Sequence, residues 1–420
     1  MAFTQSLPGF LSPFRVRAFR FQFPADLFTS WGTEMEVIVL GWYVLVKTDS
    51  VLLLTFYGAL QFIGTLIAPA MGVASDRLGH RTVLTAMRAV YAVVAIGLMS
   101  LAFADALQPL YVFLLAAASG LIRASDAGMR NGLAAEILPV DRLMAGVALS
   151  RITSDSARVA GALAGAAVYA AIGMGPACAV FAGFYVIGTV LTFAVGGAAA
   201  PGQPRVKGGG VPATPWHQLR EGLVHVWNTP PLLAAMWLAF LVNLTAWPWT
   251  LGLLPYVART VHNAGQPGLG ALAASFSSGA LIGSLLVSVL GARIQPARFM
   301  LVGSFVWHAL LVVFAFMPSL FSACALLVAA GMAQSLCMVP MAVMLLRIAG
   351  PRFRGRVMGV RMLAIYGLPV GLLMTGVLIP RLGFGSTAIL YCAIGIATTG
   401  FIGWRWRAAL WPRGQAANMG

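Results

Sequence analysis

Residues Gly72–Arg81 read Gly-Val-Ala-Ser-Asp-Arg-Leu-Gly-His-Arg, and they separate two apolar stretches that are each long enough to cross a membrane. The glycines permit a sharp turn. Asp76 can cap the N-terminus of a neighbouring helix, and Arg77 and Arg81 are suited to contact carboxylates or lipid headgroups. We therefore predict a short basic turn at one face of a bilayer.

The composition around this turn is that of a membrane protein. Apolar residues make up 60% of the 420-residue chain, and charged residues only 9%. Apolar runs of about 18 or more residues recur, each able to cross a hydrocarbon core of roughly 30 Å. Lipid forces such runs to be helical, so the predicted fold class is an all-α membrane protein. No nucleophile–base set, phosphate loop or metal-ligand spacing is present, so no catalytic site, cofactor or metal is expected.

Twelve apolar runs predict twelve transmembrane helices. They lie near residues 21–46, 51–75, 82–104, 109–134, 143–171, 176–197, 231–256, 268–291, 299–317, 319–346, 357–379 and 385–405. A stretch rich in proline and glycine divides them into two groups of six. The expected domains are a six-helix bundle over 1–197, a cytoplasmic linker with a surface helix over 198–230, a second bundle over 231–406 and a cytoplasmic tail over 407–420.

The net charge is +16, and the basic residues cluster in short loops on one side of the predicted spans. This is the positive-inside pattern, which argues against a nucleic-acid partner. It predicts that both termini lie in the cytoplasm and that the chain spans the inner membrane many times. Membrane lipid is an expected partner, and the expected oligomeric state is a monomer.

The loop Gly72–Arg81 resembles the signature loop of the major facilitator superfamily, Gly-x-x-x-Asp-Arg-x-Gly-Arg-Lys, with His80 where the pattern has a base. With twelve spans and a central linker, the resemblance covers nearly the whole chain. The two halves also echo each other in glycines of the fifth and eleventh spans, as internal repeats of transporters do. The resemblance implies the major facilitator fold, with two pseudo-symmetric six-helix bundles, and transport by alternating access.

Within the superfamily, the chain resembles the bacterial drug and siderophore exporters. The similar stretches are Gly32-Thr-Glu-Met-Glu36, Pro351-Arg-Phe-Arg354-Gly355-Arg356-Val357 and Arg158-Val-Ala-Gly161-Ala-Leu-Ala-Gly165. The last is a degenerate form of the exporters' glycine-rich motif, with Ala162 where that motif has proline. The resemblance implies efflux of a small organic compound, fairly apolar, in exchange for protons.

The resemblance also assigns roles in a conformational switch. In the family, the loop aspartate caps the eleventh helix and the loop arginine pairs with an acid near the inner end of the fourth span. By position these groups are Asp76, Arg77 and Glu136. The implied switch comprises Gly72, Asp76, Arg77, Gly79, Arg81 and Glu136. The alternative is an ordinary solvated basic loop.

Two glutamates in the first span are the candidates for proton coupling. At 100° per residue, Glu34 and Glu36 point about 160° apart, so one is expected to face the pathway and the other a neighbouring helix. No cation lies within a helical turn of either residue on their own span. An intramembrane carboxylate without a local cation is costly to keep charged, which suits a group that loads and releases protons. The sequence leaves open which of the two faces the pathway.

The fourth and fifth spans each carry a charged trio. Helical spacing places Arg123, Asp126 and Arg130 on one face, and the same holds for the second trio, Arg151, Asp155 and Arg158. The mirror-related order suits antiparallel neighbours. We expect intramembrane ion pairs in which each aspartate is flanked by two arginines, and one interpretation is a clamp between the two helices.

The second half contains no Asp or Glu after Glu221. Its candidates for a substrate cavity are Asn243, Trp247, Trp249, Gln334 and Arg361. Pro248 is able to break the seventh helix there, while ordinary packing and snorkelling are the alternative accounts. Three functions remain open: proton-coupled efflux, uptake of an organic anion on the intramembrane arginines, and a sensor on the same fold that transports nothing.

Overall fold

The computed structural model describes residues 9–196, 215–291 and 294–411. The side chain of Asp76, residues 198–214 of the expected linker and residues 412–420 of the expected tail lie outside the described part. Within that part, every one of the twelve predicted helices is present. The mainly helical chain confirms the predicted all-α fold.

The helices of the first half match the predicted spans to within a few residues at each end. The first to sixth spans are Arg17–Thr48; Val51–Leu60 with Ile63–Leu66 and Ala68–Leu78; His80–Phe103; Pro109–Ile137; Val140–Ser156 with Ala157–Gly161 and Ala162–Ile172; and Met174–Ala194. A short 3-10 helix, Gly9–Arg15, precedes them. The second span, predicted as one helix, is interrupted by the 3-10 turn Ile63–Leu66.

The second half begins with a linker helix, Pro215–Trp227. The seventh to twelfth spans are Pro230–Thr245 with Pro248–Gly252, Leu254–Tyr256 and Val257–Val261; Gln266–Leu290; Pro296–Phe314; Leu320–Ala364, which holds the tenth span and the start of the eleventh; Gly367–Leu382; and Phe384–Arg405. Gly350 (φ 66°, ψ 169°) turns the chain between the tenth and eleventh spans. A short helix, Arg407–Leu410, follows.

Four glycines mark the internal repeat. Each ends the second helix of a three-helix group and has a positive φ, which side-chain-bearing residues rarely adopt. The four are Gly79, Gly173, Gly291 and Gly383, with φ of 85°, 85°, 51° and 84°. Because the same corner recurs after the second, fifth, eighth and eleventh spans, the chain repeats one three-helix pattern four times.

The described residues divide into two compact units. The first unit comprises the described residues within Met1–Thr48, Leu60–Pro212 and Gly265–Gly270. The second unit comprises the described residues within Asp49–Ala59, Ala213–Ala264 and Ala271–Gly420. In the first unit, the first span packs against the fourth, fifth and sixth spans, and the third packs against the sixth. In the second unit, the ninth span packs against the tenth and twelfth.

Within the described part of the chain, nine helical segments are long and apolar enough to cross a membrane. Three predicted spans are not among these nine. The first contains acidic residues, and the second and fifth are broken into shorter segments. Three breaks in the described spans are π-helical turns: Ala157–Gly161 in the fifth span, and Pro248–Gly252 and Val257–Val261 in the seventh. Such turns often occur at functional sites, and all three lie in spans that carry predicted site residues.

Candidate functional site

The most deeply buried charges of the first unit are Asp26 on the first span and Arg88 on the third. Both are almost fully buried, and the Arg88 guanidinium donates to the Asp26 carboxylate and to the Thr192 hydroxyl. The Ser150 hydroxyl lies 3.5 Å from the second Asp26 oxygen. A buried ion pair persists only when such additional hydrogen bonds satisfy it. These contacts tie the first, third, fifth and sixth spans together.

Sequence reasoning missed Arg88. Its one signal was a lone arginine in the middle of the third apolar run, where a charge needs a partner. The partner lies on another helix, so spacing along one helix does not reveal it.

Glu36 is enclosed by the fourth and sixth spans. Only 2% of its surface is exposed, and the Tyr185 hydroxyl donates to Oε2 at 2.5 Å. Nη2 of Arg123 lies 3.5 Å from Oε1. Tyr91 packs on Tyr185, with ring centroids 5.4 Å apart. The negative charge of Glu36 is therefore matched by a cation and a hydroxyl in an otherwise apolar setting.

Glu34 has a different environment on the opposite side of the first span. It is half-buried, and no described side chain forms a hydrogen bond with it or an ion pair within 4.0 Å. The cations that act on it electrostatically are Arg158 and Arg123. A Cβ placed on Gly161, in the π-helical turn of the fifth span, would lie 3.2 Å from its Cβ. Glu34 thus stands beside the broken part of the fifth span.

The charged trios pair within helices, which corrects the expected arrangement of two arginines around each aspartate. Arg130 Nε binds Asp126 at 2.8 Å, but Arg123 is directed to Glu36 instead. Arg151 binds Asp155 at 3.2 Å. Arg158 is exposed and forms no ion pair within 4.0 Å with any described side chain.

Among the described residues, Arg130 provides the hydrogen bond between the fourth and fifth spans. Its Nη1 donates to Ser30 at 3.2 Å and to Ser154 at 3.3 Å, on the first and fifth spans. Gln22 donates to the Arg130 carbonyl at 2.9 Å. Hydroxyls and an amide therefore join these helices. The two ion pairs of the trios do not join them, because each pair lies within one helix.

The predicted switch loop differs from its expected pairing. Glu136 binds Nδ1 of His80 at 2.6 Å, whereas Arg77 is exposed. Arg81 donates to the Phe193 carbonyl, and its guanidinium lies 5.4 Å from the Phe193 ring centroid. The expectation that Arg77 binds Glu136 is wrong for this structure, because His80 occupies that place. The expected capping role of Asp76 depends on its side chain, which lies outside the described part of the structure.

The predicted cavity residues of the second half are not one cluster. Trp249 is buried, donates to the Thr245 carbonyl at 2.9 Å and packs edge-on against Tyr391. Trp247 packs instead against Trp307, with centroids 5.3 Å apart. Asn243 is buried and donates to the carbonyl of Ala239 at 2.8 Å. The two tryptophans and the asparagine are therefore packing residues of the second unit in this state.

Gln334 and Arg361 lie on the tenth and eleventh spans. Gln334 is almost buried and accepts from the Ser335 hydroxyl at 3.3 Å. Arg361 is half-buried, and none of the described carboxylates lies within 4.0 Å of it. Its electrostatic neighbour is the Cys337 thiol. A cation without a counterion remains available at this point of the second unit.

A second network that sequence reasoning did not single out surrounds the fully buried His308. Nδ1 lies 2.7 Å from the Ser304 carbonyl, which only accepts, so this nitrogen carries the proton. Nε2 lies 2.8 Å from the Thr245 hydroxyl. Ser304 is also bonded to Thr399 at 3.0 Å. The network joins the seventh, ninth and twelfth spans without any carboxylate.

The comparisons with known proteins agree with this architecture. The sequence profile of the transmembrane secretion effector family matches residues 8–419. The chain belongs to this family. No curated protein was found to match it by sequence. The protein is therefore a membrane transporter of the major facilitator fold rather than an enzyme, and its substrate is a small molecule.

Several solved transporters share the fold. The nucleoside transporter NupG has a TM-score of 0.72 at 10% identity, covering 93% of this chain and 99% of that one. A D-xylose-proton symporter has a TM-score of 0.68 at 14% identity, with coverages of 91% and 96%. An inward-facing bacterial homologue of the iron transporter ferroportin has a TM-score of 0.69 at 15% identity, with coverages of 93% and 98%. At these identities the likeness establishes the fold alone.

Proposed function

We propose that this transporter exports a small organic compound in exchange for protons. One observation carries the proposal. Seven carboxylates with described side chains lie in the spans of the first unit, and six of them have an arginine or histidine within 4.0 Å. Arginine lies beside Asp26, Glu36, Asp126, Asp141 and Asp155, and His80 lies beside Glu136. Glu34 is the seventh and has no such partner among the described residues. A carboxylate in lipid without such a partner marks a functional group by default.

The surroundings of Glu34 suggest how a proton changes the structure. Arg123 acts electrostatically on Glu34 and also pairs with Glu36, which accepts from Tyr185. When Glu34 is charged, two carboxylates compete for Arg123. When Glu34 takes up a proton, Arg123 is left to Glu36 alone. Protonation at the half-buried position therefore alters a pair that joins the first, fourth and sixth spans.

The location and direction of transport are part of the same proposal. The basic loops favour termini in the cytoplasm, and the proposal takes the protein as a monomer in the inner membrane. The resemblance to drug and siderophore exporters favours efflux.

The first experiment identifies the substrate class. A deletion strain is grown on a panel of toxic compounds and siderophores, and a narrow sensitivity names the class. Transport of that compound is then driven by a pH gradient in inverted membrane vesicles. We expect accumulation inside the vesicles by the wild-type protein. The absence of proton flux with every compound would instead support a sensor that transports nothing.

The second experiment tests Glu34. Glu34→Gln is expected to abolish accumulation driven by the pH gradient but to retain exchange of labelled for unlabelled substrate, which needs no net proton movement. The matched control is Asp155→Asn, which removes a span carboxylate that already has an arginine and should keep most of the accumulation. Unchanged accumulation in both Glu34→Gln and Glu36→Gln would contradict proton coupling at the first span.

One observation supports a second candidate function, uptake of an organic anion. Arg361 has no carboxylate within 4.0 Å among the described residues, and an anionic substrate is one way to neutralise it. In that case Arg361→Gln or Arg123→Gln abolishes transport, whereas Glu34→Gln does not. The same vesicle assay therefore separates the two functions.

A further inference from the structure

The linker helix and the start of the eleventh span form a cavity that the transport proposal does not use. Its volume is about 450 Å³. The polar residues that line it are His217, Arg220, Glu221, His225, Asn228 and Arg356. All of them belong to the second unit. The cavity lies at the end of the bundle where the basic loops cluster.

The two helices that form the cavity are held together by specific contacts. Nη1 of Arg356 binds Oε2 of Glu221 at 2.7 Å. The His225 ring stacks on Phe353, with centroids 4.2 Å apart and planes at 10°. Gly222 approaches the backbone of Arg356 so closely that an added Cβ would lie 2.9 Å from its carbonyl oxygen. The cavity is therefore part of a packed interface within the unit.

The cavity has a surplus of positive charge and an arginine without a protein partner. Arg220 is exposed and forms no ion pair or hydrogen bond with the described residues. Arg356 binds Glu221, so the two arginines that line the cavity leave one surplus positive charge over that carboxylate. The chemistry that matches this charge is an anion with several acceptor oxygens.

The neighbouring surface indicates where that anion comes from. Leu223, Val224 and Trp227 are 44%, 52% and 70% exposed on the same helix. Trp227 lies three residues before Pro230, where the seventh span begins. Tryptophan is enriched where a span meets the headgroups, and basic pockets beside spans bind lipid phosphates. The apolar side chains therefore lie next to Arg220, in the way that the acyl chains of a phospholipid lie next to its headgroup.

We propose that this cavity binds the headgroup phosphate of an anionic phospholipid in the leaflet on the linker side. Arg220 binds the phosphate oxygens, and Leu223 and Trp227 contact the acyl chains. Because the Arg356–Glu221 pair borders the cavity, a bound lipid fixes the linker helix to the start of the eleventh span.

The experiment is native mass spectrometry of the full-length protein in detergent, titrated with phosphatidylglycerol or with phosphatidylcholine. We expect tighter binding of phosphatidylglycerol, and about tenfold weaker binding of it in Arg220→Gln, because one charge-assisted hydrogen bond is lost. Arg220→Lys keeps the charge and should keep the preference. The matched control is Arg298→Gln, an exposed arginine at the start of the ninth span, outside the cavity, which should bind phosphatidylglycerol as the wild type does.

Three outcomes would overturn the proposal. The first is equal affinity for the two lipids. The second is the same loss of phosphatidylglycerol binding in Arg298→Gln as in Arg220→Gln, which would indicate a diffuse electrostatic effect. The third is displacement of the bound lipid by an equal concentration of inorganic phosphate, which would assign the cavity to a free anion. Thermal unfolding of each variant confirms that the fold is intact.

Discussion

Asp26 and His308 are both buried polar residues, but the two units satisfy them in different ways. In the first unit, the Asp26 carboxylate is matched by the Arg88 guanidinium, and Glu36 is matched by Arg123. In the second unit, His308 is bonded to the Ser304 carbonyl and the Thr245 hydroxyl, and no acid occurs in the seventh to twelfth spans.

This difference between the two units determines in which of them the uptake of a proton changes the free energy of the protein. A buried ion pair loses its compensation when one partner changes charge, because the other charge is left in a medium of low dielectric constant. A network of neutral groups has no such imbalance. We therefore expect protonation to act on the first unit, while the His308 network of the second unit is neutral and hydrogen-bonded.

The largest expected effect concerns the Asp26–Arg88 pair. Arg88→Met leaves the buried carboxylate without its cation and is expected to destabilise the protein by about 3–5 kcal/mol. The double variant Asp26→Leu with Arg88→Met removes both charges and should recover most of that loss. Thermal unfolding of the detergent-solubilised protein measures both. A double variant that unfolds as readily as Arg88→Met would contradict the charge-pair explanation.

A smaller effect is expected at His308. His308→Leu removes the ring hydrogen bonds to the Ser304 carbonyl and to the Thr245 hydroxyl, which costs about 1–3 kcal/mol. His308→Gln retains an amide donor and should lose less stability. The same unfolding assay compares the two variants with Arg88→Met. If His308→Leu were as damaging as Arg88→Met, the second unit would depend on its buried polar groups as strongly as the first.

The smallest effect is expected for the partly exposed pair of His80 and Glu136. The Glu136 side chain is 43% exposed, and exposed ion pairs contribute about 0–1 kcal/mol. Glu136→Gln should therefore change the unfolding temperature only slightly, as should Arg77→Gln, whose side chain is exposed. A large loss in Glu136→Gln alone would show that this pair stabilises the fold and not only one conformational state.

The spans themselves could be predicted from sequence, because lipid demands long apolar helices. The breaks within the spans were harder to predict. Pro248 signals the π-helical turn in the seventh span, but the turn at Ala157–Gly161 contains no proline and has no equivalent signal. The division of the chain into bundles at 197 and 231 remains a prediction.

The candidate site could be predicted only where partners share a helix. The pairs Asp126–Arg130 and Arg151–Asp155 are four residues apart, so helical spacing indicates them. Arg88–Asp26 and Arg123–Glu36 join different spans. Those pairs depend on how each helix is rotated against its neighbours, which a hydropathy pattern does not specify.

The most direct test of the account compares the two units in one assay. Proton flux driven by the identified substrate is measured in proteoliposomes for the wild type, Glu34→Gln and His308→Gln. We predict that the flux is lost in Glu34→Gln and retained in His308→Gln. Retained flux in Glu34→Gln together with loss in His308→Gln would contradict the account and assign proton coupling to the second unit.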